Sequence, residues 1–204
     1  MAALAGKLGA VYMSSGSSIA MTDEATTCLD PGTYTQYQIT DTSKRYVDKD
    51  TAVTVKVNGT AQSSGWTIDY VGGIITFDSA LTDTDTVTVS GAYFNVSQVA
   101  GFFNWEVEIN ADELDTTEFG SSWRTKLPVL LGFNGRAEMW WADASFLTNL
   151  GQDMIVVLYV NTTNSYRYEG YAKFATDTIN VPVDALINEP LTFQGEGELY
   201  YRSG

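Results

Sequence analysis

From Trp105 to Ile109, and again from Leu191 to Tyr201, the chain alternates apolar or small residues with polar ones at every second position. Side chains leave a strand on opposite faces in turn, so a period of two commits both segments to half-buried β-strands rather than helices. In the first, Trp105, Val107 and Ile109 are expected to face one way and Glu106 and Glu108 the other. In the second, Phe193, Gly195, Gly197, Leu199 and Tyr201 oppose Thr192, Gln194, Glu196, Glu198 and Tyr200. Segments 136–141, 155–160, 166–174 and 178–181 also read as strands.

The rest of the chain divides around this strand-rich part. Residues 1–28 are rich in Gly, Ser and Ala and are expected to form an arm that orders against neighbours. Asp30-Pro31-Gly32 then sets a turn through fixed proline φ and permissive glycine. Residues 29–98 read as a β-meander module: segments 34–39, 53–57, 66–70, 74–77 and 86–94 alternate, and Asn58-Gly59 and Gly72-Gly73 reverse the chain. Residues 99–204 form the third piece, with one short helix expected over 143–151. There Asp143 is an N-cap candidate, Phe146, Leu147 and Leu150 form the apolar stripe, and Gly151 ends the helix. The expected class is therefore all-β with one flanking helix: an antiparallel sandwich or barrel with a meander module added.

Composition excludes several kinds of chemistry. The 204 residues hold 25 acidic and 11 basic side chains and no histidine, a net charge of −14. Such a surface repels a phosphate backbone, which disfavours nucleic-acid binding through a basic patch. Residues 99–204 alone carry 15 acidic and six basic side chains, net −9. One cysteine, Cys28, precludes an intramolecular disulfide. Lys7 and the glycines at 6, 9 and 16 interrupt what would otherwise read as a secretion signal in residues 1–20. The longest apolar run, 154–160, is too short to span a bilayer as a helix.

Without histidine, neither a Ser-His-Asp triad nor a His-based zinc site can form within one chain. The acidic pairs Glu106/Glu108 and Glu196/Glu198 could suggest two-carboxylate glycoside chemistry. That chemistry needs carboxylates across a cleft in unlike environments, whereas i, i+2 neighbours on one strand face mark a solvated surface. Asp78, Asp83 and Asp85 lack the spacing of a calcium loop and fit a hairpin turn. Trp140, Trp141, Tyr166, Tyr168, Tyr171, Tyr200 and Tyr201 suit either sugar stacking or packing in a core and subunit interface. No catalytic residue, cofactor or metal is expected.

The segment Thr116-Thr-Glu-Phe119-Gly-Ser-Ser-Trp123-Arg124-Thr-Lys-Leu-Pro128, read with Leu191–Tyr201, resembles the core of major tail tube proteins from long-tailed bacteriophages. Trp105-Glu-Val-Glu-Ile109, the Trp140/Trp141 strand leading toward the expected helix, Tyr168-Glu-Gly-Tyr171 and Phe193-Gln-Gly-Glu-Gly-Glu198 follow in the same order. The resemblance implies a non-enzymatic virion protein assembled in the host cytoplasm. It also implies a sandwich flanked by a helix, six subunits closing a ring, and rings stacking into a tube. Its partners would be further copies of itself, a tape measure protein and tail-end proteins, with DNA passing through unbound.

Within that frame two surfaces are expected. The loop 111–128 carries Leu114, Phe119 and Trp123, with Arg124 beside them, in an otherwise polar stretch, so another subunit should cover it. Glu106, Glu108, Glu196 and Glu198 are expected to line the lumen, where negative charge keeps DNA from adhering; simple surface solvation is the other explanation. A tail terminator, the inner tube of a bacterial injection machine, or a glycan-binding sandwich built from residues 33–95 remain alternative functions.

Overall fold

The computed structural model describes residues 8–14, 16–119, 122–141 and 150–203, and among them the chain is built from antiparallel strands. The expected helix falls almost wholly on residues outside that set. Two compact units divide the chain: residues 1–13 with 98–204, and residues 14–97. The second is inserted between the first strand of the first unit and all its others.

The inserted unit contains β2 (Ile19–Cys28), β3 (Gln36–Ile39), β4 (Thr54–Val57), β5 (Thr60–Gln62), β6 (Trp66–Asp69), β7 (Ile74–Phe77) and β8 (Val87–Tyr93). They follow one antiparallel path, β5-β4-β8-β2-β3-β7-β6, around a core that includes Met21, Ile39, Val47, Val55, Ile75 and Val89. Asn58 and Gly59 both take positive φ between β4 and β5, as a tight hairpin requires. The Asp30 turn is held by its own carboxylate, which accepts from Thr33 Oγ1, from Thr35 Oγ1 and N, and from Gln36 N. Those bonds, Thr33 and Thr35 first, hold Asp30 far below the usual carboxylate range. Asp85 likewise closes its turn by accepting from Thr82 N and from Asn58 Nδ2.

The first unit contains β1 (Ala10–Ser14), β9 (Val96–Gln98), β10 (Phe102–Asp115), β11 (Lys126–Trp140), β12 (Asp153–Asn161), β13 (Tyr166–Asp177), β14 (Asn188–Gly195) and β15 (Tyr200–Arg202). The path is β10-β11-β14-β13-β12-β1-β9, with β15 also on β13. The N-terminal segment expected as an arm thus supplies two strands: β1 pairs with β12, and β2 belongs to the inserted unit. Its small residues hid the short pattern Ala10-Val-Tyr-Met-Ser14, whose residues 10, 11, 13 and 14 are buried.

Strands from across this sheet share one core: Val11, Met13, Phe133, Met139, Met154, Val156, Leu158, Ala172, Phe174, Leu191 and Phe193. Glycines set how tightly it closes. A Cβ on Gly195 would lie 2.2 Å from the Phe133 ring, and one on Gly135 would lie 2.3 Å from the Phe193 ring. Phe193 in turn meets Phe174 edge-on, with centroids 6.1 Å apart.

The strand expected to run unbroken from Leu191 to Tyr201 is instead divided. Gly195 opposes Ala172 and Tyr201 opposes Tyr168, so six steps on one side face four on the other. The surplus is taken up around Gly197, whose φ of 96° reverses the pleat. Beyond the break, β15 is anchored by Arg202, whose Nε donates to Glu169 at 2.5 Å; Arg167 Nε donates to the same buried carboxylate at 2.8 Å.

Gly195→Ala is expected to lower folding stability by about 1–3 kcal/mol, the usual cost of overpacking a close-packed core. Denaturant unfolding of the purified variant checks this, and Gly132→Ala, where φ is ordinary and a Cβ meets only Asn110 Oδ1 at 3.4 Å, is the control for glycine replacement in general.

Candidate functional site

Strands β10 and β11 form a long hairpin whose ladder runs from Phe102 opposite Met139 to Asp115 opposite Lys126. Its near half packs on the core through Trp105 and Val107. Its far half does not. Ile109, Leu114, Leu127 and Leu130 are exposed, Leu131 is 80% exposed, and at the tip Phe119 and Trp123 reach 108% and 85%. Arg124 is also exposed.

The segment 111–128 is therefore a loop only over 116–125; the rest extends the two strands. The acidic run Asp112-Glu113-Leu114-Asp115 has weak strand propensity, and cross-strand bonding overrides it. Lys126 pairs with Glu113, Thr116 N donates to Thr125 O at 2.9 Å, and Asp115 accepts from Thr117 N. Leu114 and Leu127 oppose each other directly. Leu114, Phe119, Trp123 and Arg124 thus share one projecting element. Sequence reasoning missed Leu127, Leu130 and Leu131, although the apolar run from 127 to 131 announces them; Ile109 keeps the face of Trp105 and Val107, opposite Phe133, but is exposed.

Registers place Glu106 opposite Arg136 and Glu108 opposite Asn134, and carry the same face on to Thr192 and Gln194 of β14. These six residues line an open cavity of about 810 Å³. Arg136 is bound to Glu138 at 2.6 Å. On β13, Lys173 opposes Gln194 and bridges Glu196 at 2.7 Å and Asp153 at 3.1 Å, and these two carboxylates raise its pKa. Arg136 and Lys173 are thus already offset by acids, while Glu106 and Glu108 stay exposed. Of the expected lining set, Glu106 and Glu108 sit together on β10, Glu196 lies away from them, paired with Lys173 of β13 three strands along the sheet, and Glu198 lies beyond the Gly197 break, off the ladder.

Strand β10 ends the path, so one edge of this 14-residue strand is not laddered within the described chain. Among the described residues no cluster of three or more metal-ligating side chains occurs, and no helix is long and apolar enough to cross a membrane.

No family model matches the chain, and no curated protein does. Among solved structures it is similar to a chain of the tail of an empty gene transfer agent particle, refined with C6 helical symmetry. That match has 15% identity and a TM-score of 0.44, covering 53% of this chain and 87% of that one. It is similar also to a chain of the virion of a native gene transfer agent particle, with 15% identity and a TM-score of 0.43, covering 52% and 88%.

Because Trp123 contributes little to the core, Trp123→Ala is expected to shift unfolding free energy by less than about 0.5 kcal/mol. Denaturant titration of the monomer reads this directly; a loss of several kcal/mol would mean that the tip is structural.

Proposed function

We propose that this chain is a non-enzymatic virion subunit of the tail tube type, which closes with copies of itself into six-membered rings and stacks those rings into a conduit for DNA. The observation that carries this reading is the β10–β11 hairpin. It projects seven large apolar side chains from a unit whose core is complete without them. Isolated proteins rarely concentrate so many exposed large apolar side chains in one element unless a partner covers them.

Two further features support the reading. The long edge of β10 is a template for strand pairing, and closing a ring of sheets edge to edge removes such edges. The outward face bearing Glu106 and Glu108, with Glu196 at its margin, combines acidity with cations that are already paired. Lining a lumen, that face repels phosphate and offers no lysine or arginine cluster for DNA to hold. The tape measure and tail-end proteins are the expected further partners, with assembly in the host cytoplasm.

Electron microscopy of the purified protein tests the proposal. Open-ended tubes are expected; isolated rings would favour a terminator, and persistent monomers that bind glycan would overturn both. Trp123→Ala should raise the concentration needed for tube growth about 30-fold, corresponding to roughly 2 kcal/mol for an interface hot spot.

Tubes of the wild-type protein should also bind no DNA in a pelleting assay. Glu106→Lys/Glu108→Lys tubes should retain it in a salt-sensitive way, since each phosphate contact releases counterions. Equal behaviour of the two tubes would remove Glu106 and Glu108 from the lumen.

A further inference from the structure

The sheet that carries the apolar hairpin has a second apolar end. β14 begins at Asn188 opposite Trp140, so the connection 178–187 lies at the end of β10, β11 and β14 opposite to the hairpin tip. The 15 residues of β11 separate the two ends by roughly 45–50 Å along the strand. In the connection Ile179, Val181 and Leu186 are exposed and Val183 is 105% exposed. Its base is fixed: Thr178 N donates to Pro190 O at 3.2 Å, Asn180 and Asn188 bridge, and Trp141 N donates to Ile187 O at 3.0 Å. Beside it Phe103 and Trp140 stack with centroids 4.5 Å apart, and both remain half exposed, as does Trp141.

Resting on the tube reading above, we propose that this end is the acceptor for the hairpin tip of a second copy in the next ring. Two observations select a copy of the same chain as the occupant. The two apolar surfaces lie at opposite ends of one sheet, as a head-to-tail contact requires, and such contacts propagate without limit when they do not close. Their sizes match: aromatic side chains bury roughly 150–250 Å² each, so Phe119 and Trp123 with the exposed leucines approach the ~800 Å² that one side of a stable interface covers. Phe103, Trp140 and Trp141 with the four aliphatics of 178–187 offer a comparable area. Charge does not oppose the contact: Asp184 is the one charged residue of 178–187, and the tip 116–125 is neutral overall, carrying Arg124 and Glu118.

A polar joint of this kind has a signature that a general hydrophobic association lacks. Phe119→Glu/Trp123→Glu subunits keep the acceptor and lose the tip, whereas Val181→Glu/Val183→Glu subunits keep the tip and lose the acceptor. Rings of each, prepared separately, should remain single, and mixing them should give particles two rings long and no longer, seen by electron microscopy and sedimentation. All four side chains are exposed, so both variants should melt within a few degrees of wild type. Should the acceptor variant fail to fold, Val183→Ser subunits carry the same readout, with tube growth expected to need at least ten times more protein. Tubes from the acceptor variant alone, or no joint on mixing, overturn the acceptor while leaving the tube reading intact. A wild-type protein that forms no tubes overturns the tube reading and the acceptor with it.

Discussion

The close approach of two phenylalanine rings to two glycines decides the shape of the larger unit. Phe133 lies over Gly195 and Phe193 over Gly135, at separations that no side chain could share. This interlock lets β11, β14 and β13 press their apolar face against residues from β1 and β12, so one sheet seals its own core. Packing at this density fixes the rings, and the rings fix the registers on either side of them.

A core closed in this way leaves a sheet with two unlike faces and two unlike ends. The inward face is mostly apolar, with the carboxylate of Glu189 buried on it. The outward face, from Glu106 and Glu108 across Arg136 to Lys173 and Glu196, is polar, with its cations offset by neighbouring acids. From Ile109 outward the hairpin's large apolar side chains are exposed, and burying them would add stabilisation at about 25 cal/mol per Å². On the proposal made above, the strand edge of β10, the apolar tip and the apolar base are the surfaces that other copies would complete.

Much of this was legible from alternation and turns. The pattern at 105–109 placed Trp105 and Val107 on the core, and Asn58-Gly59 and Gly72-Gly73 marked hairpins that the inserted unit contains. What was not legible depended on distant partners. Residues 111–115 became strand because β11 lies beside them, and Ile109 kept the alternation yet fell past the point where the core ends. The break at Gly197 could not be counted without knowing that β13 offers four steps against six. The N-terminal strands were concealed by small residues whose pairing with β12 and β8 is long-range. Trp140 carried both a packing and a binding explanation in the sequence, and the structure gives it part of each: it stacks on Phe103 and keeps nearly half its surface exposed.

Hydrogen exchange compared between monomer and assembled protein tests the central claim most directly. The account predicts strong new protection along β10 and the hairpin tip 116–125 on assembly, with little change in the Phe133 and Phe193 core, which is closed in both states. Assembly that leaves β10 and the tip exchanging at monomer rates would contradict it.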